Sequence, residues 1–502
     1  PGGQRMSGTI RIFIAGQPWF VPTGISVAAA LALTDNPITR LSVSGQPRTP
    51  FCGMGVCQEC RVSVNGRRVP GCQTCRLKGA DMQTLQCDIL ILGAGPAGLS
   101  AALAAAKCDK QVIILDDNPL PGGQIWRDGS QSQLPPLARH YRDAVANESR
   151  IRVLNGARLI ARRSENCVLF ETAEDYGTVS WNKLILCCGA RELALPFPGW
   201  TLPGVSGAGG LQAQMKQGLH MANQKVVIAG SGPLLLAVAD TVRRAGGEVV
   251  AIVEQAPRAA LLRFGFGLWR WPGKLRQLAT LFPRRYLSAS QVIAAHGDAT
   301  LRAVTLRHNG REITLPCDKL AIGYGLVPNL EPGLFFSCAI SNDAVQVDEL
   351  QRTSVKNIYA AGECTGFGGS ELALIEGEIA GLCAADRAHE TKFLQQKRTR
   401  WQRFALTLHK TFALPESLKR VATPETLLCR CEDIRCGDVE QAQSWLQAKL
   451  TTRCGMGACQ GRTCAATARW LYGWPLLEPR APLSPSRSET LIALAQQPPS
   501  PH

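Results

Sequence analysis

The chain has 502 residues, 45% of them hydrophobic, and a formal net charge of +16. That length implies roughly three to four domains, and the apolar content is ordinary for a globular protein with a sizeable core. No apolar run reaches the ~18 residues of a membrane span, no secretory leader is expected, and no aromatic–basic nucleic-acid module accompanies the charge. The basic excess is therefore expected to be solvated surface, or to face an acidic protein partner or anionic lipid headgroups at a membrane periphery. The residues ahead of Met6 read as an added tag. The 20 cysteines concentrate near the two ends instead of following a disulfide framework. This favours metal ligation in a reducing, cytoplasmic compartment.

Residues 9–85 are rich in short β-like runs such as "TIRIFIAG" and read as a first unit. Cys52, Cys57 and Cys60 have the C-x4-C-x2-C spacing of a plant-type [2Fe–2S] ligand run. The interval to Cys72, "RVSVNGRRVPG", alternates valine with polar residues around Asn65-Gly66, a hairpin signal that would bring Cys72 back to close the ligand set. Gly53 and Gly55 allow the backbone to curl with its amides toward sulfide. Cys75 is surplus and reads as a spare or buried thiol. A four-cysteine zinc site is the open alternative.

Residues 88–116 read strand, glycine turn, alanine-rich helix, strand. Gly93, Gly95 and Gly98, with Pro96 and Ala97 between them, open the helix, and Asp116 ends the next strand. Glycines there let a pyrophosphate approach the helix N-terminus, and the acid can hold ribose hydroxyls. A second such unit runs from Lys225 to Glu254. Gly230, Gly232 and Pro233 begin the same motif, but Leu235 stands where the third glycine belongs and is expected to push helix from strand or displace the ligand. Glu254 argues against a 2′-phosphate, leaving NAD, another adenine nucleotide or no ligand open. The vicinal Cys187-Cys188 reads as packed thiols, not a redox pair.

The polar stretch His389–Arg403 reads as a linker or surface helix. Residues 425–482 form a cysteine-rich unit, and the Pro/Ser-rich tail from 483 to 502 is expected to be loosely ordered. In the cysteine-rich unit "CRC" supplies Cys429 and Cys431, and "CGMGACQGRTC" supplies Cys454, Cys459 and Cys464. Five candidates compete for four ligand places, with zinc again open. The phrase C-G-M-G-x-C-Q occurs in both cysteine regions, but the spacings differ, so it reads as a shared local turn and not a repeated site.

Several stretches carry a family resemblance. Residues 9–85 resemble β-grasp ferredoxin domains of oxidoreductase subunits. "PLPGGQIW", with Gly123 and Gln124, "LILCCGAREL" and "TSVKNIYAAGECTG", with Gly362 and Glu363, resemble two-dinucleotide-domain flavoproteins, although Glu363 replaces the usual aspartate. The last cysteine unit resembles bacterioferritin-associated-ferredoxin (BFD) type domains, which implies Cys429, Cys431, Cys459 and Cys464 as ligands and Cys454 as spare. In this order the units resemble the α (A) subunits of heteromeric flavin amine and amino-acid dehydrogenases, such as those of hydrogen cyanide synthase, opine oxidase, dye-linked proline or hydroxyproline dehydrogenase and sarcosine oxidase.

The resemblance implies an α/β two-dinucleotide-binding flavoprotein of Rossmann-like fold. A β-grasp [2Fe–2S] domain would occupy 9–85, an FAD domain 86–203 and 318–390, an NAD-like nucleotide domain 204–317, a basic linker 391–424 and a BFD-like domain 425–482. It implies FAD, two [2Fe–2S] clusters and, in some members, an FMN at a subunit interface. It further implies an FAD-containing β subunit of the amine-oxidase type that oxidises a C–N bond, with a quinone or other acceptor downstream. No general-base constellation is readable, so the catalytic residues stay unassigned. A self-contained NADH-dependent reductase and a scaffold with non-working cofactors remain alternatives.

Overall fold

The computed structural model describes residues 9–22, 25–34, 36–64, 67–74, 82–129, 134–281 and 285–495. Among them no helix is long and apolar enough to cross a membrane. The first unit is built of three two-stranded antiparallel ladders, Thr9–Ile14 with Gln17–Pro22, Arg40–Leu41 with Pro47–Arg48, and Arg61–Val64 with Arg67–Pro70. The short helix Val27–Ala32 is capped by Ser26, whose hydroxyl accepts from the Ala29 amide. Val64 pairs with Arg67, and the intervening Asn65-Gly66, like Cys75, lies outside the described residues.

The following domain centres on a seven-stranded sheet. Its middle strand Met82–Leu92 lies parallel to both Val112–Asp116 and Tyr176–Leu186, and Ile358–Ala360 extends the parallel part. Strands covered on both faces need continuous apolar runs, and every residue of Val112–Asp116 is buried. The alanine-rich helix Pro96–Ala106 packs on Gly369–Ala384. That contact is close because a Cβ at Gly377 or Gly381 would strike the carbonyls of Ala97 or Ala101, at 2.1 and 2.3 Å. The Ser100 hydroxyl donates across it to the Leu374 carbonyl at 2.8 Å.

The second βαβ unit lies in a five-stranded parallel sheet, where Lys225–Gly230 sits between Glu248–Glu254 and Lys319–Gly323. Leu235 does not push helix from sheet. It is fully buried, and its side chain takes the space that Gly323 leaves on the neighbouring strand.

Two expectations are corrected. Of the two readings of the basic stretch, linker or surface helix, the structure gives the helix: Lys392–Thr411 is 20 residues long with Phe404 buried against Phe264 and Leu268, so the linker expected over 391–424 is corrected. Its polar composition reflects a half-exposed helix whose inner face meets residues far away in sequence. The Pro/Ser-rich tail is likewise docked over its described part. Leu483 is buried and its amide donates to the Ile160 carbonyl, the Arg487 amide donates to the Glu171 carboxylate, and Ser488–Ala495 is helical. The cysteine-rich unit folds around Trp445 and Ala448 with helices Trp445–Thr452 and Cys464–Tyr472.

Candidate functional site: a glycine-turn cavity beside two thiol groups

The first glycine turn is shaped by three different demands. Gly93 has φ +105°, and a Cβ there would lie 2.2 Å from the Cys187 carbonyl oxygen. At Gly98 a Cβ would lie 1.9 Å from the Gly93 carbonyl, so only glycine lets this helix start so close to the strand. Gly95 differs, since a Cβ there would meet nothing nearer than the Gly123 Cα at 3.9 Å. It faces a cavity of about 2120 Å³ lined also by Pro96, Ala97, Asp116, Gly123, Gln124, Gly362 and Glu363. This is the open space a pyrophosphate needs beside a helix N-terminus.

Asp116 is buried, and burial first, then the neighbouring Asp117, pushes its carboxyl up to about 7. The Asn118 side-chain amide donates to it over a long 3.3 Å. The Ala94 amide also faces this carboxyl, which still lines the cavity and so fits ribose hydroxyls as further partners. Burial also raises Glu363. The turn before it is held from behind by Glu376, raised to about 7 by its burial, which accepts from the Gly362 amide at 3.1 Å and the Thr365 hydroxyl at 3.2 Å. Arg398, on the helix Lys392–Thr411, lies 3.6 Å from Glu376. Neither residue carries a sequence motif; their roles come from a contact between two helices.

At the first thiol group the four expected cysteines come together. The Cys52 sulfur accepts from the amides of Met54 and Cys57 at 3.4 and 3.3 Å, Cys72 from Gly55 at 3.2 Å, and Cys60 from Cys72 at 3.4 Å. Amides aimed at sulfur, with Gly53 and Gly55 at positive φ, suit the negative charge of a thiolate-held cluster. Met54, Gly55, Val56 and Gln58 line the cavity shared with Gly95. The buried Arg127 joins the two sides: its Nη2 donates to Asn118 and Gln124, and its charge also faces Cys72 and Cys52.

The second thiol group holds all five candidates. The sulfurs of Cys429, Cys454 and Cys464 lie within 4.8 Å of one another. Cys431 is 3.7 Å from Cys429, and Cys459 is 3.9 Å from Cys431. Cys454, expected to be spare, is thus inside the group, fully buried. Cys187 and Cys188 are pushed well above the ordinary thiol range by burial, as packed thiols should be.

The second glycine turn opens on the same cavity but is already engaged. Glu254 is fully buried and accepts from the amides of Gly232 and Ala256 at 2.8 and 2.9 Å and from the Tyr286 hydroxyl at 3.3 Å. The Ser231 hydroxyl donates to the Phe412 carbonyl at 3.0 Å, and Gln255 reaches Ser231 and the Ala413 carbonyl. The Phe412 ring lies 3.8 Å from where a Gly232 Cβ would stand.

Residues 87–378 match the pyridine nucleotide-disulphide oxidoreductase family, and residues 7–86 match a 2Fe-2S iron-sulfur cluster binding domain. Hydrogen cyanide synthase subunit HcnB of Pseudomonas aeruginosa is 30% identical, over 79% of this chain and 96% of its own length. An opine oxidase subunit of Rhizobium meliloti is 31% identical, over 76% of this chain and 80% of its own. The chain belongs to this family of oxidoreductase subunits. Its fold matches that of L-proline dehydrogenase from P. horikoshii with a TM-score of 0.71 at 17% identity, over 97% of this chain and 98% of that one. It is a flavin and iron–sulfur oxidoreductase subunit, with an α/β flavoprotein fold and an N-terminal [2Fe–2S] domain.

Proposed function

We propose that this chain is the electron-transferring subunit of a heteromeric dehydrogenase. A separate FAD-containing β subunit would oxidise the C–N bond of an amino acid, imino acid or opine, and this chain would pass the electrons toward a quinone or another acceptor. The observation that carries the reading is continuity. The loop Met54–Gln58 of the first thiol group lines the cavity next to Gly95 and Gly123, and Glu59 in the same loop is paired with Arg430 of the second thiol group. FAD, when bound, converts a two-electron donation into one-electron steps that [2Fe–2S] centres accept. Gly95 and Gly123 leave room for its pyrophosphate, Asp116 offers its carboxylate to the ribose, and Glu376 holds the Gly362–Glu363 turn against the remaining length.

For the second cluster the proposed ligands are Cys429, Cys431, Cys459 and Cys464, with Cys454 pressed against them as a fifth thiol. About four iron and four labile sulfide per chain are expected, with two EPR signals on reduction. Cys454→Ala should keep that content, whereas Cys57→Ser should remove one signal only. Zinc at either group would end the two-cluster scheme. Neither an FMN at a subunit interface nor a ligand at the second glycine turn is required.

The deciding experiment gives the isolated chain amino acids, imino acids and opines with a dye acceptor. It should turn over none of them until a β subunit is added, and robust turnover by the lone chain would overturn the reading. The NADH-reductase alternative is disfavoured by Glu254, whose oxygens are already committed to protein donors. Flavin bleaching by micromolar NADH would restore it.

A further inference from the structure

The two thiol groups are joined by a buried charged contact. Arg430 lies between Cys429 and Cys431, and Glu59 directly precedes Cys60. Both side chains are almost fully removed from water, at 4% and 1% exposure. The Arg430 Nε lies 3.4 Å from a Glu59 oxygen, and its Nη1 donates to the Trp200 carbonyl at 3.3 Å. The guanidinium covers the Phe51 ring at 4.5 Å, one residue before Cys52, and the Trp200 ring at 5.2 Å. Its Nη2 is buried with no hydrogen-bond partner among the described residues.

The surroundings hold this arginine without cancelling it. Glu59 also pairs with Arg40 at 2.8 Å. Arg48 is paired with Asp433, and its Nε donates to the Arg430 carbonyl at 3.0 Å. Three arginines against two carboxylates leave one net positive charge beside the thiol groups, with Arg40 at the partly exposed edge and the other four groups buried. A fully exposed surface pair would be screened by water and salt. Here burial keeps the field of each charge effective at both thiol groups.

We propose that Arg430, opposed by Glu59, couples the two clusters electrostatically, setting both reduction potentials from one shared position. This rests on the reading that both thiol groups hold [2Fe–2S] clusters. One electron leaves the reduced centre and one enters its neighbour, and no bond forms and no proton moves. Each reduction adds a negative charge, which Arg430 stabilises and Glu59 opposes. Cluster charge and hydrogen bonding are recognised levers on such potentials. Arg430 is a tuning residue, not a catalytic one, because it acts on the electrons' resting places and not on a substrate.

The test is an EPR-monitored redox titration of the cluster-loaded chain and three variants, with iron and sulfide measured in each. Arg430→Gln should lower both potentials, the second cluster's reduction equilibrium by about tenfold, which is 59 mV for one electron, and the first cluster's by less. Glu59→Gln should raise both, the first more than the second. Arg430→Lys, which keeps the charge, should stay near the parent, and it carries the test with Glu59→Gln if Arg430→Gln does not fold. Merely structural damage would move the arginine and glutamate variants in the same direction. That result, or a variant moving only one of two intact signals, would overturn the coupling. A parent chain loaded with a single cluster would instead overturn the two-cluster reading beneath it.

Discussion

The two glycine turns begin alike in sequence, open on one cavity, and differ in how fully the protein holds their polar groups. At the first, Gly95 lines the cavity and Asp116 is met by the Ala94 amide and the long Asn118 hydrogen bond. At the second, Glu254 has three protein donors and the backbone after the helix Lys392–Thr411 takes the Ser231 hydroxyl. The strand–turn–helix architecture is common to both. What differs is whether the polar groups around the turn have been left for a ligand or consumed by the protein. A glycine motif records that the backbone can approach a phosphate; the satisfaction of the acid and the turn records whether a phosphate is expected.

The largest effect should come from Gly95→Val. The side chain would enter the ligand space while touching little protein, so FAD should be lost completely with the far-UV circular dichroism spectrum retained. Gly232→Val, strained at φ +102°, should destabilise the second module but leave the FAD content of the folded chain at the parental level. Stoichiometric FAD in Gly95→Val would mean the cradle is misplaced.

The acids sharpen the contrast next. Asp116 is raised to about 7 by burial and Asp117, from an ordinary value of about 4. The native FAD-free chain therefore binds a proton more readily than the unfolded chain, and Asp116 costs stability increasingly as pH rises through that window. Asp116→Asn should melt above the parent, and the Tm gap should widen from about pH 4 to about pH 7. A gap independent of pH would show that burial of the charge is not the cause.

Leu235→Ala should destabilise the second module by about 2–5 kcal/mol, the usual cost of emptying a buried leucine, as read by denaturant titration. It should confer no flavin bleaching by NADH, because the commitment of Glu254 remains. The smallest change is Ser231→Ala. Losing one hydroxyl from the closed turn should cost about 1 kcal/mol and, again, leave NADH unreactive.

The sequence disclosed those features whose determinants are close neighbours along the chain. Gly93 to Asp116 and Cys52 to Cys72 are local patterns, and a glycine turn or a hairpin has few ways to satisfy them. The basic helix is one of two readings its sequence allows, and its docking was hidden because its partners, Phe264 and Glu376, lie on other elements. Leu483 and Arg487 likewise find their partners Ile160 and Glu171 more than three hundred residues upstream. Arg430 and Glu59 are 371 positions apart, so neither composition nor spacing could announce their pairing. Cys454 shows the limit of counting: five thiols in a sequence do not reveal that all five share one buried group.

The helix Lys392–Thr411 touches both halves of the nucleotide-binding body. Arg398 reaches the flavin-side turn through Glu376, and Phe412, just past the helix end, covers the second turn. Fourteen residues separate them, about 21 Å of helix. The helix is thus a strut between the Gly362–Glu363 turn and the second glycine turn, both of which line the shared cavity. If the strut restricts the way out of that cavity, bound FAD would leave slowly whatever its affinity. Exchange of bound FAD against labelled free FAD should then be slow in the parent and accelerate when Arg398→Gln and Phe412→Ala are combined; unchanged exchange in the double variant would show that the flavin leaves by a route the strut does not guard.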